Sequence, residues 1–224
     1  MSIKENINEF VRFLNTYDCR LVAVSKTKSP EEIMLAYEAG QRDFGENKVQ
    51  ELREKQGVLP ADIRWHMIGH LQSNKVKYIA PYIHLIHSVD NLGLLKEIDR
   101  QANRNDRPID CLLQGYIAQE ESKFGLSAEE VQALVESDDF PNLENVRITG
   151  LMGMATFTDD MKQVRSEFHF LNSLFQDLRT RYRMPNIIMQ EVSMGMSGDY
   201  KIAVEEGSTM VRIGSLIFGP RVYI

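Results

Sequence analysis

Ile3, Ile7, Phe10, Val11 and Leu14 recur at helical spacing and predict an amphipathic helix at the start of the chain. Residues 20–25, Arg-Leu-Val-Ala-Val-Ser, form a short apolar run that predicts a buried strand. Ser29-Pro30 then opens a helix that runs toward Gly40, because Ser caps a helix start well and Pro suits the first helical position. The same alternation continues to the end. Strands are predicted at 43–45, 64–68, 84–88, 109–117, 147–152, 191–194 and 210–213. Helices are predicted at 48–55, from about 71, at 91–103, at 128–136, through Met161 to Leu178, and at 200–205.

This reading yields eight strands, seven of them followed by a helix of ordinary length. Unbroken alternation of this kind predicts an α/β protein whose sheet is parallel and covered by helices. Eight units predict closure into a single (β/α)8 TIM-type barrel spanning residues 1–224, with one extra N-terminal helix. An open, doubly wound sheet is the competing architecture. Its usual dinucleotide signature, G-x-G-x-x-G after the first strand, is absent: Val24-Ser25-Lys26-Thr27-Lys28 contains no glycine.

Composition narrows the partners. With 26 Lys and Arg against 32 Asp and Glu, the 224-residue chain carries a net charge of −6. It lacks the basic surplus of a nucleic-acid-binding domain, so no nucleic acid is expected as a partner. Apolar runs such as that at 21–24 are far shorter than the roughly 18 residues of a membrane span. The polar start, MSIKENINEF, has no apolar segment of a secretory signal. Two cysteines, Cys19 and Cys111, sit beside apolar runs and read as reduced and buried. The expected compartment is the cytoplasm.

In a barrel the C-terminal strand ends form the active face, so the residues after each strand carry the candidate chemistry. Lys26 directly follows the first strand. Desolvation there would favour its neutral amine, which attacks aldehydes; a surface lysine paired with a carboxylate is the plainer alternative. Lys28, two residues on, is expected to be solvated. Ser193-Met194-Gly195-Met196-Ser197-Gly198-Asp199 offers hydroxyls, glycines and a helix start suited to an anion. Gly214-Ser215 ends the last strand, and barrel phosphate sites typically use the loops after strands seven and eight. Turns and a helix cap are the plainer reading of those glycines and of Ser197. Arg212 stands inside an apolar strand, where a charge is costly unless paired. Met152-Gly153-Met154 would pack on a flat ring, and Ser122-Lys123-Phe124-Gly125 would join the rim. His66 and His70 stand four apart, but Met67 replaces the glutamate of a zinc-protease helix, so no metal is expected. Lys75, Lys77 and Lys123 read as solvated. A mouth lysine together with a phosphate cradle fits pyridoxal 5′-phosphate, and a Schiff-base aldolase acting on a sugar phosphate fits nearly as well.

Several of these segments carry a family resemblance. Ala23-Val24-Ser25-Lys26-Thr27, Phe44-Gly45-Glu46-Asn47, Trp65-His66-Met67-Ile68-Gly69-His70-Leu71-Gln72-Ser73-Asn74-Lys75, Gly150-Leu151-Met152, Ser193-Met194-Gly195-Met196-Ser197 and the stretch from Gly207 to Gly214 resemble the pyridoxal phosphate homeostasis protein family, the YggS or PROSC-like proteins. The match runs over nearly the whole chain, with the motifs in order. It implies a fold-type III barrel like the N-terminal domain of alanine racemase, with Lys26 forming the internal aldimine. By the same resemblance Ser193, Met194, Gly214 and Ser215 would hold the phosphate, Arg212 would face the pyridine nitrogen, and Asn47 and Ser88 would lie near the cofactor. Many members carry Thr where Ser215 stands, and Gly69-His70 replaces the Gly-Pro of some relatives.

An arginine beside the ring nitrogen cannot accept its proton and favours the unprotonated ring, which weakens it as an electron sink. After Gly214 only residues 215–224 remain, so the second domain of racemases is not expected. The expected function is therefore binding of pyridoxal phosphate and its homeostasis by a monomer, with pyridoxal-phosphate-dependent apo-enzymes as partners. An amino-acid racemase is the alternative; its acid or base opposite Lys26 would be Tyr116, His66 or His87. The aldolase ranks third.

Overall fold

The computed structural model describes residues 2–119 and 125–220. The expected rim motif at Ser122-Lys123-Phe124 lies outside the described residues.

Eight parallel strands close into a barrel in sequence order, the last pairing back onto the first. They are β1 Arg20–Val24, β2 Asp43–Glu46, β3 Arg64–Met67, β4 Leu85–Val89, β5 Ile109–Gln114, β6 Val146–Met152, β7 Ile187–Ser193 and β8 Met210–Ile213. The helices are α1 Ile3–Asn15, α2 Pro30–Glu38, α3 Val49–Gln56, α4 Leu92–Arg104, α5 Ala128–Val135, α6 Met161–Arg181, α7 Tyr200–Glu205 and the single turn α8 Ser215–Phe218.

Local chemistry accounts for the boundaries. Ser2, Ser29 and Ser127 each cap a helix and receive a reciprocal bond from Glu5, Glu32 and Glu130, so α1, α2 and α5 start on capping boxes. The helix expected from Leu71 is instead a 3-10 segment, Ser73–Tyr78. Pro81 lies just beyond and disfavours helical backbone at Ala80, so the segment is too short for full α-helical turns. β7 begins four residues earlier than expected. Its pairing with β6 runs from Ile148 with Ile187 to Gly150 with Glu191, and this register shift breaks the alternation that marks a strand.

Alternation along the strands sorts side chains between two cores. Leu21 and Ala23 belong to the main cluster between sheet and helices. Val22, between them, belongs to a separate cluster with Leu85, Leu112, Met152 and Met210. That second cluster fills the barrel interior. β6 approaches β7 so closely that a Cβ at Gly150 would lie 1.8 Å from the Glu191 carbonyl oxygen, so only glycine serves there. Cys19 and Cys111 are both free and buried, and burial pushes the Cys19 thiol up to about 12.

Candidate functional site

A cavity of about 420 Å³ opens at the C-terminal mouth of the barrel. Its walls come from the ends of most strands: Val24 and Lys26 after β1, Asn47 after β2, Ile68 after β3, Met154 and Phe157 after β6, Met196 to Asp199 after β7, and Arg212, Gly214 and Ser215 from β8. The volume falls within the roughly 300–1,000 Å³ typical of small-molecule sites.

Lys26 stands on a braced turn. The Ser25 amide donates to the Gly45 carbonyl at 3.0 Å, and the Ser25 hydroxyl donates to the Glu46 carboxylate at 2.6 Å. The Lys55 ammonium, on α3, donates to the Ser25 carbonyl and to Glu46, each at 2.8 Å. The Thr27 amide donates to Glu51 at 2.7 Å, and Thr27 itself is held at φ 65°, a backbone region a β-branched residue rarely enters. Lys28 is not solvated as expected. Its ammonium reaches the Phe218 carbonyl, at the end of α8, at 3.0 Å and the Glu32 carboxylate at 3.2 Å.

The opposite wall is a glycine-rich loop. Gly195 has φ +96°, and a Cβ there would lie 2.5 Å from the Ala203 Cβ, so this turn requires glycine. Asp199 accepts from the Met196 amide at 2.6 Å and closes the loop, while burial raises its carboxyl above the usual range. The hydroxyls of Ser197 and Ser215 meet at 3.1 Å on the cavity wall. Ser197 therefore lines the cavity rather than capping α7, whose start at Asp199 has no side-chain cap.

Arg212 closes the floor. It is buried, and burial lowers its guanidinium to about 10, still a cation at neutral pH. Its Nη1 donates to the Ser193 carbonyl at 2.8 Å and to the Ser193 hydroxyl at 2.6 Å, and its Nη2 donates to the Gly153 carbonyl at 3.0 Å. All three acceptors are neutral.

Of the residues singled out in the sequence, Lys26, Asn47, Arg212, Gly214 and Ser215 meet at this cavity. Three do not line it. The Ser193 hydroxyl is buried between Arg212 and His87, 3.0 Å from His87 Nδ1. The Met194 side chain is buried in the core. The Ser88 hydroxyl donates to the Gly69 carbonyl at 2.6 Å. The racemase candidates His66 and His87 are fully buried below the floor, and Tyr116 is not part of the lining. Met154 and the loop from Met196 to Asp199, read from the sequence as a ring-packing and an anion-binding segment, line it too; Lys28, after β1, and Phe157, after β6, join the lining without having been assigned to it.

Known proteins match this chain along its length. The family model for the alanine racemase N-terminal domain matches residues 1–222. A pyridoxal phosphate homeostasis protein of Aquifex aeolicus is 40% identical over 205 residues, covering 91% of this chain and 88% of the relative. PipY of Synechococcus elongatus PCC7942, solved with pyridoxal phosphate (PLP) bound, superposes with a TM-score of 0.86 at 34% identity, over 97% of this chain and all of PipY. Its structure without PLP superposes at 0.90. An alanine racemase of Bartonella henselae, at 15% identity and a TM-score of 0.69, shares the fold over 62% of its length.

Proposed function

The chain belongs to the alanine racemase N-terminal domain family and, within it, to the pyridoxal phosphate homeostasis proteins; from that footing we propose that it binds pyridoxal 5′-phosphate at the barrel mouth and acts in intracellular homeostasis of that cofactor. The observation that carries the reading is convergence on one cavity of an amine, a buried arginine and a glycine–hydroxyl wall.

The residues present fit such a ligand. Arg212 is a buried cation whose hydrogen bonds to the described residues all go to neutral oxygens. A guanidinium carries five N–H donors; three point at these oxygens, which leaves one on Nε and one on Nη2 for an acceptor in the cavity. Ser197, Gly198, Gly214 and Ser215 offer hydroxyls and closely approachable backbone suited to phosphate oxygens. When bound, the cofactor supplies an aldehyde that a neutral amine captures reversibly with loss of water. In this assignment Lys26 is that amine, held at the rim by the brace of Ser25, Glu46 and Lys55. Asn47 orients a polar edge of the ligand, and Met154, Phe157 and Met196 cover it with apolar surface.

Holding suits this lining better than proton transfer. Besides Lys26, Lys28 and Arg212, Asp199 is the one titratable group of the described lining, and it is tied to the loop it closes. A racemase needs an acid or base across the cavity from Lys26, and its proposed histidines are engaged below the floor. We further read residues 1–224 as one domain that works as a monomer in the cytoplasm and serves apo-enzymes. The closed sheet, which leaves no edge strand to pair, and two free buried cysteines support that reading. No helix of the described residues is long and apolar enough to cross a membrane.

The test is a visible spectrum of the protein with added pyridoxal phosphate, beside Lys26→Ala. The expected result is a new absorption band that borohydride fixes covalently at Lys26 and that the variant lacks. Absence of any band in the unaltered protein overturns the proposal.

A further inference from the structure

Beneath the cavity, a row of buried polar side chains crosses the barrel interior. Asp43, at the start of β2, lies 3.0 Å from His66 Nε2; His66 Nδ1 lies 2.9 Å from His87 Nε2; His87 Nδ1 lies 3.0 Å from the Ser193 hydroxyl; and that hydroxyl lies 2.6 Å from Arg212 Nη1. The two histidines and Ser193 are wholly inaccessible to solvent.

The chemistry of the two ends fixes the direction of every link. An arginine only donates, so the Ser193 oxygen accepts from Arg212. At the other end Asp43, as a carboxylate, only accepts, so with both buried rings neutral the Ser193 proton goes to an unprotonated His87 Nδ1. The His87 proton therefore sits on Nε2 and is donated to His66 Nδ1, which places the His66 proton on Nε2. There it meets Asp43, a carboxylate also held by two bonds from Arg64 at 2.8 and 2.6 Å. All donors point one way, from the mouth to the opposite end of the barrel. Burial holds both imidazoles below the ordinary histidine range, and the partners of Asp43 hold its carboxyl down, in keeping with two neutral rings ending on an anion.

We propose that Asp43, His66 and His87 are positioning residues: their one-way hydrogen-bond chain orients the Ser193 hydroxyl, and through it holds the Nη1 side of Arg212 against the barrel wall, so that the remaining N–H donors face the cavity. What Arg212 meets there rests on the proposed function; the chain itself does not. A row of this kind is costly to leave half-satisfied in a low-dielectric interior. A leucine in place of His87 would strand Ser193 and His66 together and let the guanidinium turn. A glutamine offers both an acceptor and a donor, and preserves the direction.

Two measurements test this on the full chain. Long-range proton–nitrogen NMR of the histidine rings at pH 7, without added ligand, reads the tautomers and needs no variant. The expected result is Nε2–H on both His66 and His87; an Nδ1–H tautomer or an imidazolium at either ring overturns the chain. Binding of pyridoxine 5′-phosphate, which has no aldehyde and so cannot bond to Lys26, reads the consequence. We expect folded His87→Leu to bind about 10-fold more weakly and His87→Gln to stay within about 2-fold of the unaltered protein. A folded leucine variant that binds like the unaltered protein overturns the positioning role. If the unaltered protein does not bind pyridoxine phosphate at all, the positioning of Arg212 for a ligand falls, while the NMR result still decides the chain and the visible spectrum with pyridoxal phosphate decides the proposed function.

Discussion

The Lys55 ammonium lies 2.8 Å from the Glu46 carboxylate, and both groups are sealed from solvent beneath the turn that carries Lys26. Among the described residues one Glu46 oxygen, Oε2, has no hydrogen-bond partner, and burial raises the carboxyl above the usual range. The pair thus balances a costly carboxylate with a cation that also binds the Ser25 carbonyl. Removing one partner of such a pair leaves a buried charge uncompensated.

Lys55→Met is expected to destabilise the fold by about 3–5 kcal/mol. Chemical denaturation at neutral pH measures it. A loss below about 1 kcal/mol, the range of exposed ion pairs, would show that water reaches Glu46. The same variant should slow borohydride fixation of pyridoxal phosphate, since the Lys26 turn loses its brace.

Arg212→Lys keeps the charge but loses the planar fork that engages Ser193 and Gly153 together. Weaker binding of pyridoxine 5′-phosphate, by about 10-fold or more, is expected by titration calorimetry. Equal affinity would mean that only the charge matters.

Acid should weaken the protein from about pH 6.5 downward, where free histidines begin to take up protons. His66 and His87 are held below the ordinary histidine range by burial, and His84 is lowered to about 4. The unfolded chain takes up protons at these rings below about pH 6.5, while the folded protein does not. Stability is therefore full above that pH and falls as pH drops toward the folded-state values. His66 and His87 each add up to about 1.4 kcal/mol per pH unit to that slope. Asp43, whose carboxyl is held low, adds a further loss below about pH 3.9. Urea midpoints between pH 7.5 and 5 check the first part, and a flat profile would contradict neutral buried imidazoles.

Gly195→Ala combines a left-handed backbone with a Cβ 2.5 Å from that of Ala203. A stability loss of about 2–4 kcal/mol is expected, with weaker inorganic phosphate and pyridoxine phosphate binding if the loop shifts to relieve the clash. Gly198→Ala is the control for the stability loss alone, because a Cβ there meets no protein atom within 4 Å while Gly198 itself lines the cavity.

Much of this molecule was legible in its order of residues. Apolar periodicity is a local property, so the eight strands, the capped helices and the place of Lys26 at a strand end follow from neighbours in sequence. So do Gly195 and Gly214, which mark tight backbone wherever the chain goes. The exceptions are places where distant contacts decide. The 3-10 segment Ser73–Tyr78 replaced a helix for want of room before Pro81, and β7 was lengthened by its shifted pairing with β6. The hydrogen bonds that matter most join partners remote in sequence: Lys28 with Phe218, and His87 with Ser193 across 106 positions. Whether Ser193 faces the ligand or the barrel interior depends on strand register and closure, which set the side of the sheet each residue occupies. A single strand's pattern cannot encode that, because the partners of Ser193, His87 on β4 and Arg212 on β8, lie on other strands, and only the closed barrel brings them to 3.0 and 2.6 Å.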